Sequence, residues 1–421
     1  MCKRWRSVVL SSPRRLNLLL FCTNRRPVKK LLDIWPPLPI YIYAGHAGKS
    51  PLRGVTNLMA ALKQQNRVRG ICIFGVPNSL VKKSVAMKPF PALTKLSLSS
   101  NDENAPVFPD SFLGGSAPCL RTIWLEGIPF PGLGKLLLST TDLVTLSLHD
   151  IPRSGYISPE AMVASLSSLT RLKELDLRFQ FPRSRADREN RHPPPLTRVV
   201  IPALTRLWFK GDSEYLEDIM SGIDAPLLKN LGITFFSQLV FDTPQLRHFI
   251  SRTRTLTGKF TAPDRARIYF KHGCVTVGPF RISLGILCNP SDWQISSAAQ
   301  LYNSALCPLP TLQYLEIHNP RNFWEDDMEN VQWLELLQLF PSVKDLVLSV
   351  KSFRLVAPAL DELDGGIVTG VLPALQNIVL QGHQPSEADN KSIEKFIATR
   401  QLLGIPVTVR HRTGKDLDFH Y

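Results

Sequence analysis

A short pattern of apolar and polar residues recurs along the chain between residues 68 and 380. It reads apolar-x-x-apolar-x-apolar, and its last four residues alternate with the two-residue period of a β-strand. In the copy at residues 93–98, Leu96 and Leu98 are expected to point to one face, and Lys95 and Ser97 to the other. The eleven copies are VRGICI (68–73), LTKLSL (93–98), LRTIWL (120–125), LVTLSL (143–148), LKELDL (172–177), LTRLWF (204–209), LLKNLGI (227–233), LRHFIS (246–251), LQYLEI (312–317), VKDLVL (343–348) and LQNIVL (375–380).

The spacing of these copies predicts stacked repeats. A single strand of this kind cannot bury its apolar edge, but neighbouring copies form a parallel ladder with a continuous core. A proline precedes the first apolar position of most copies, where it stops a preceding helix. These prolines are Pro91, Pro118, Pro202, Pro226, Pro244, Pro310, Pro341 and Pro373. Between the strands, helices are predicted at residues 58–62, 159–172, 215–223, 328–340 and 391–403.

Each repeat is thus a strand, a loop, a helix and a loop, which resembles the leucine-rich-repeat family over residues 65–381. The resemblance implies an α/β solenoid with a curved parallel sheet and helices on its convex side. The repeats are irregular, because Ser100, Gly127, Asp150 and Phe179 occupy places where the family has Asn or Cys. Residues 252–305 contain no clear copy of the pattern and only two faint strands, at 267–270 and 280–284. We therefore expect a defect or an insertion there.

The N-terminus resembles the last helix of an F-box, in which a Val-Cys-x-x-Trp run precedes an apolar turn and a Ser-Pro stop. The residues that match are Cys2, Trp5, Val8, Val9 and Pro13. The resemblance implies a remnant of an adaptor-docking module, and hence the substrate-recognition part of a ubiquitin-ligase receptor. The front half of an F-box does not precede these residues, and Met1 stands where the family has Val, as expected of a truncated gene model. The alternative is a basic amphipathic helix that seals the end of the solenoid.

The predicted organisation has four parts. Residues 1–25 form the partial F-box-like helix or N-terminal cap, and residues 26–64 form a linker and the first solenoid elements. Residues 65–390 form the solenoid, and residues 391–421 form a C-terminal cap and tail.

The charge of the chain bears on its partners. The chain of 421 residues carries 50 Lys or Arg and 35 Asp or Glu, a formal net charge of +15. Nine of the basic residues precede Asp33, and an Arg-rich stretch spans residues 178–206. Contact with nucleic acid is a weaker alternative, because no recognition motif accompanies these stretches. The seven cysteines form no C-x-x-C pair and are expected to be buried thiols. Since no apolar run reaches the ~18 residues of a membrane helix, we expect a protein of the cytoplasm, the nucleus or both.

Catalytic and cofactor motifs are weak or missing in the sequence. Gly48, Lys49 and Ser50 follow a strand, but Tyr43 stands where a phosphate loop needs its first glycine, so this segment is interpreted as a turn. His272 and Cys274 lack further ligands at metal spacing. The sequence has neither a nucleophile elbow nor an H-E-x-x-H motif. We therefore expect no enzyme, no cofactor and no bound metal.

The candidate site is the concave side of the predicted sheet, where polar strand residues would face a protein partner. Trp124 and Trp208 stand out, since Trp, Tyr and Arg are enriched at binding hot spots. The alternative is that these rings are covered by loops and the neighbouring charges are solvated. The candidate residues are Trp124, Glu126, His149, Glu174, Asp176, Arg178, Arg206, Trp208, Lys210 and Tyr314. The alternatives for function are a leucine-rich-repeat scaffold without a ubiquitin role and, less favoured, a basic nucleic-acid-associated protein.

Overall fold

The structure, a computed structural model, divides into two compact units, Met1–Leu228 (unit 1) and Lys229–Tyr421 (unit 2). The residues it describes are 17–23, 27–34, 37–45, 54–75, 89–100, 107–182, 197–237, 243–257, 265–271, 273–278, 281–288, 292–305, 312–318, 330–350, 352–353, 356, 371–382, 387–402 and 404–412.

In unit 1, eight strands form one parallel ladder in the order β1-β2-β3-β4-β5-β6-β7-β9. Two short strands, β8 and β10, pair separately and in parallel. The strands are β1 (Leu18–Phe21), β2 (Ile40–Ala44), β3 (Val68–Phe74), β4 (Lys95–Ser99), β5 (Thr122–Glu126), β6 (Thr145–Ile151), β7 (Glu174–Phe179), β8 (Val199–Val200), β9 (Arg206–Gly211) and β10 (Ile223–Asp224). The helices are α1 (Val28–Ile34), α2 (Val55–Leu62), α3 (Leu133–Ser139), α4 (Pro159–Leu166) and α5 (Ser213–Gly222), with 3-10 turns at Phe112–Gly115 and Arg153–Gly155.

In unit 2, the strand order is β11-β14-β13-β12-β15-β16-β17-β18. The pairs β12–β13 and β13–β14 are antiparallel, whereas β11–β14 and the four pairs from β12 to β18 are parallel. The strands are β11 (Asn230–Phe235), β12 (Arg265–Lys271), β13 (Cys274–Gly278), β14 (Ile282–Leu287), β15 (Tyr314–His318), β16 (Asp345–Ser349), β17 (Asn377–Gln381) and β18 (Thr408–Arg412). The helices are α6 (Pro244–Arg252), α7 (Arg254–Thr257), α8 (Asp292–Ala305), α9 (Asn330–Gln338) and α10 (Glu387–Leu402).

The repeating unit begins with a tight turn. In the repeat of β4, the backbone N–H of Leu93 donates to Phe90 O at 3.1 Å, and Pro91 occupies the second turn position, which suits its fixed φ. The same bond recurs from Leu120 to Ala117 at 3.0 Å and from Leu375 to Leu372 at 3.1 Å. The prolines predicted to stop helices therefore also build the turns that precede β4, β5 and β17.

The core lies on the leucine side of each ladder. Ile123, Leu146 and Leu175 are register partners with at most 1% of their surface exposed. Fully burying such a side chain stabilises the fold by about 1.5–3 kcal/mol. Helices cover this side, as Tyr215 of α5 shows by stacking against the buried Phe209, with ring centroids 5.9 Å apart.

These arrangements confirm the predicted α/β fold class, because each unit has a mostly parallel ladder of irregular repeats that is covered by helices on one side. Ten of the eleven sequence copies contain strands with parallel neighbours. The ladders also extend beyond the sequence copies at 68–380, through β1, β2 and β18. The predicted interruption at residues 252–305 is the antiparallel group β12–β13–β14. The four-part division of the chain stays a prediction.

One predicted strand is wrong, and one helix is shorter than predicted. The copy at 246–251 lies in α6, because Leu246, Phe249 and Ile250 follow helical i, i+3, i+4 spacing and are buried together. Pro244 stands in the first turn of that helix, where its missing N–H costs nothing. The helix predicted at 159–172 ends at Leu166, and Leu169 begins the turn that precedes β7.

Candidate functional site

Nine of the ten candidate residues lie in unit 1, on the strand face opposite the leucine core. We call this face the open face of unit 1. Its central row, fixed by strand register, runs Ser97, Trp124, Ser147, Asp176 and Trp208. The other candidates belong to the two flanking rows: Glu174 and Arg206 on one side, and Glu126, His149, Arg178 and Lys210 on the other.

Asp176 is the centre of a polar network on this face. Asp176 is 8% exposed, and its carboxylate accepts two hydrogen bonds from Arg178, from Nε and from Nη2, each at 2.8 Å. His149 Nε2 lies 3.0 Å from Asp176 Oδ2. Burial acts to raise the pKa of Asp176, but the hydrogen bonds and charges of His149 and Arg178 outweigh it and lower that pKa below its usual value. The carboxylate therefore stays ionised and fixes both neighbours.

Further ion pairs join adjacent strands. Glu174 and Arg206 are register partners on β7 and β9 and form a salt bridge. The Arg206 guanidinium also lies over the Trp208 ring, 5.6 Å from its centroid. Lys210 Nζ lies 4.0 Å from Asp150 Oδ1. The structure thus brings oppositely charged candidate residues together, within β7 and between β7 and β9.

The two tryptophans are partly exposed. The Trp124 ring meets Phe74 edge-on at 6.0 Å and His149 edge-on at 5.8 Å between centroids. Trp208 is partly covered by Arg206. Each ring is therefore held by neighbours on the open face and keeps part of its apolar area in solvent.

An apolar extension of this face on β1 and β2 was not predicted from the sequence. Leu19 is 48% exposed and Phe21 is 61% exposed, and they occupy the open face because Leu20 between them is buried. The Phe21 ring lies 5.7 Å from that of Tyr43. The alternation in residues 18–21 and 40–44 was the available signal, but these strands precede the first repeat that matches the full pattern.

The tenth candidate, Tyr314, lies in unit 2 on β15. Arg265, its register partner, places its guanidinium 4.8 Å from the centroid of the Tyr314 ring. Two residues along β15, Glu316 is 5% exposed and accepts a hydrogen bond from Arg267 Nε at 2.7 Å. His318 Nε2 lies 2.7 Å from the same carboxylate but without the alignment of a good hydrogen bond.

The other predicted features are placed as follows. The adaptor-side residues Cys2, Trp5, Val8, Val9 and Pro13, and the segment 48–50, lie outside the described residues. Among the part of the chain that is described, no group of three or more His, Cys, Asp or Glu could hold a metal ion. None of the described helices is long and apolar enough to cross a membrane. Cys22, Cys72 and Cys288 are buried free thiols, whereas Cys119 is exposed.

Neither a protein-family model nor a curated protein matches this chain. A similar solved structure is the leucine-rich repeat-containing protein LegL7 from Legionella pneumophila, which is 12% identical over 92% of this chain and 98% of that chain. Its TM-score is 0.28, which is too low to support an argument. The fold assignment therefore rests on the strand register and the repeated turns of this chain itself.

Proposed function

We propose that this protein is a protein-interaction solenoid and that the open face of unit 1 binds a protein partner. The observation that carries the proposal is the pair Trp124 and Trp208, both partly exposed and both in the central row of that face. Three strand spacings separate them, about 14 Å at ~4.8 Å per strand. Large aromatic anchors with fixed neighbours are typical of binding hot spots.

The network between the two tryptophans supports binding because it is already formed without a partner. Asp176 lies in the same row and holds Arg178 and His149 in place. Side chains fixed before binding lose little conformational entropy when the partner arrives. A partner with an apolar segment over Trp124 and Trp208 and polar groups over Asp176 fits this surface.

We further propose that the protein is not an enzyme. Ser147, His149 and Asp176 are neighbours on the open face, as a hydrolase triad would require. However, among the contacts of the described residues, Asp176 bonds to one ring nitrogen of His149 and no hydrogen bond joins the Ser147 hydroxyl to the other. A nucleophile needs its base within hydrogen-bonding reach.

The finer assignment, also a proposal, is the substrate-recognition part of an F-box-type ubiquitin-ligase receptor in the cytoplasm or nucleus. It rests on the resemblance of residues 1–13 to the last F-box helix and on the repeats that follow. The alternative is a leucine-rich-repeat scaffold with no ubiquitin role.

Affinity purification with mass spectrometry tests the partner surface. The full chain is compared with the double variant Trp124→Ala/Trp208→Ala and with Leu138→Ala, a control that changes an exposed apolar residue on α3. The expected result is a set of proteins that the control retains and the double variant loses. Retention of every partner by the double variant would remove the proposed site.

A second experiment separates the two assignments. Purified ligase adaptor is mixed with the full chain and with a Trp5→Ala variant. Binding that Trp5→Ala abolishes supports the receptor role. Partner proteins bound through the open face without any adaptor binding favour the scaffold.

A further inference from the structure

The strand face of unit 2 that carries Tyr314, the open face of unit 2, differs in charge from its counterpart in unit 1. Strands β4–β7 and β9 carry four Lys or Arg and four Asp or Glu, so their charges balance. Strands β12 and β15–β18 carry five Lys or Arg and two Asp or Glu, an excess of three positive charges.

The two carboxylates of these unit 2 strands are already engaged within the face. Glu316 is buried and bound by Arg267 and His318, with Gln381 Nε2 3.4 Å from its Oε1. Asp345 Oδ1 accepts a hydrogen bond from Asn377 at 2.8 Å. Arg265 and Arg410 are exposed, and neither forms an ion pair with a carboxylate among the described residues. Their charges are left for an incoming anion.

Two arginines of β12 lie beside Tyr314 and Glu316. Arg265 stacks on its ring at 4.8 Å, and Arg267 lies in the adjacent register position beside Glu316. Burial, followed by the negative charge of Glu316, raises the pKa of Tyr314. The positive charges of Arg265, Arg267 and Arg412 act in the opposite direction.

The spacing of the arginines indicates an extended ligand. Arg267 and Arg410 are the exposed ends of one row, and the residues between them are buried or half-buried: Glu316 (5% exposed), Val347 (1% exposed) and Val379. Four strand spacings correspond to about 19 Å along the sheet, the length of roughly six residues of extended chain. A single small anion cannot contact both ends of such a row.

The aromatic rings of this face favour a peptide over single-stranded nucleic acid. Bases bind by stacking on free aromatic faces. Here Arg265 covers the Tyr314 ring, and the Tyr269 ring stacks on His318 with centroids 4.7 Å apart and planes 8° apart. The guanidinium groups remain, and these match carboxylates in charge and in planar geometry.

We propose that the open face of unit 2 is a second binding surface, which takes an extended acidic peptide through Arg265, Arg267 and Arg410. This second proposal does not rest on the proposed partner surface of unit 1. The partner segment would lie across β12 and β15–β18 with its Asp or Glu side chains on the arginines.

Fluorescence anisotropy of labelled hexaglutamate with the full chain tests this proposal. We expect binding that weakens as NaCl concentration rises, and no binding of hexaglutamine. Arg265→Gln/Arg410→Gln should raise the Kd of hexaglutamate by about ten-fold or more. The matched control Lys391→Gln/Lys395→Gln removes the same charge from exposed positions of α10 and should change the Kd by less than about two-fold.

A charge-reversed variant distinguishes loss of the arginine charges from misfolding, because a misfolded chain would not gain a new ligand. Arg265→Glu/Arg410→Glu should lose hexaglutamate and gain labelled hexalysine. Equal losses in the arginine variant and the lysine control would overturn the proposal, because attraction would then follow net charge alone. Tighter binding of a deoxythymidine oligonucleotide with the same dependence on Arg265 and Arg410 would also overturn it in favour of nucleic acid. The variant Trp124→Ala/Trp208→Ala should bind hexaglutamate with the Kd of the native chain. That result would show that the acidic peptide does not bind through the open face of unit 1.

Discussion

His149 Nε2 lies 3.0 Å from Asp176 Oδ2, across the boundary between strands β6 and β7. Asp176 also accepts both hydrogen bonds of Arg178, so one buried carboxylate orders two basic side chains on a binding face. In unit 2, Glu316 accepts a hydrogen bond from Arg267 Nε and lies 2.7 Å from His318 Nε2. Each unit thus has a charged group that is fixed in place before any partner binds.

Replacing Asp176 by Asn should destabilise the protein in a pH-dependent way. The pKa of Asp176 is lowered in the folded state, so its carboxylate stabilises the fold above the unfolded pKa of about 3.9. That contribution is lost as the pH falls through the folded pKa. Urea unfolding at pH 7 should show a loss of about 1–3 kcal/mol for Asp176→Asn, and the difference from the native chain should shrink towards pH 2.

Asp142→Asn is the matched control for this prediction. Asp142 accepts a 2.8 Å hydrogen bond from Arg171, but both side chains are well exposed. Exposed pairs contribute about 1 kcal/mol or less. Equal losses for Asp142→Asn and Asp176→Asn would contradict the central role given to Asp176.

Truncating two neighbouring residues of β6 should lower the free energy of unfolding by very different amounts. Leu146 is fully buried, whereas Ser147 is partly exposed on the open face. Leu146→Ala should lower the free energy of unfolding by about 2–5 kcal/mol, because it leaves a cavity. Ser147→Ala should change it by less than about 0.5 kcal/mol. Similar losses for both variants in urea unfolding would mean that the faces are assigned incorrectly.

Gly127 should tolerate no side chain. Its φ is +62°, and an added Cβ would lie 2.3 Å from Ser100 O. Gly127→Ala should therefore cost more than the about 1–3 kcal/mol of backbone strain alone. Gly404→Ala is the control, because Gly404 has a φ of +73° and open space around it. Thermal unfolding that ranks the two variants in the reverse order would be inconsistent with this contact.

The cysteines should differ in their reaction with a thiol reagent. Cys119 is exposed, whereas burial raises the pKa of Cys22 to about 12 and also raises the pKa of Cys72 and Cys288. Since the thiolate is the reactive form, iodoacetamide should label Cys119 well before the three buried thiols. Peptide mapping by mass spectrometry measures each site, and early labelling of Cys22 would show that β1 opens readily.

The sequence could predict the repeats because each copy carries its own strand period. Alternation in LTRLWF places Leu207 and Phe209 in the core and Trp208 on the opposite face without reference to any other residue. It failed at 246–251, where an apolar run fits both a strand and a helix, and burial of Leu246 and Phe249 together decided for a helix. Strand β13 was also missed, because its antiparallel pairing with β12 and β14 does not follow the parallel repeat.

The sequence by itself determined the parallel repeats and the residues that line the open face of unit 1, since strand alternation is a local property of the chain. Only the tertiary structure decided which charges neutralise one another. The contact between His149 and Asp176, and the gathering of Arg265 and Arg267 near Tyr314, join strands that are 27 and about 50 residues apart in the chain. Their pairing depends on the register between strands, which packing of the shared core fixes.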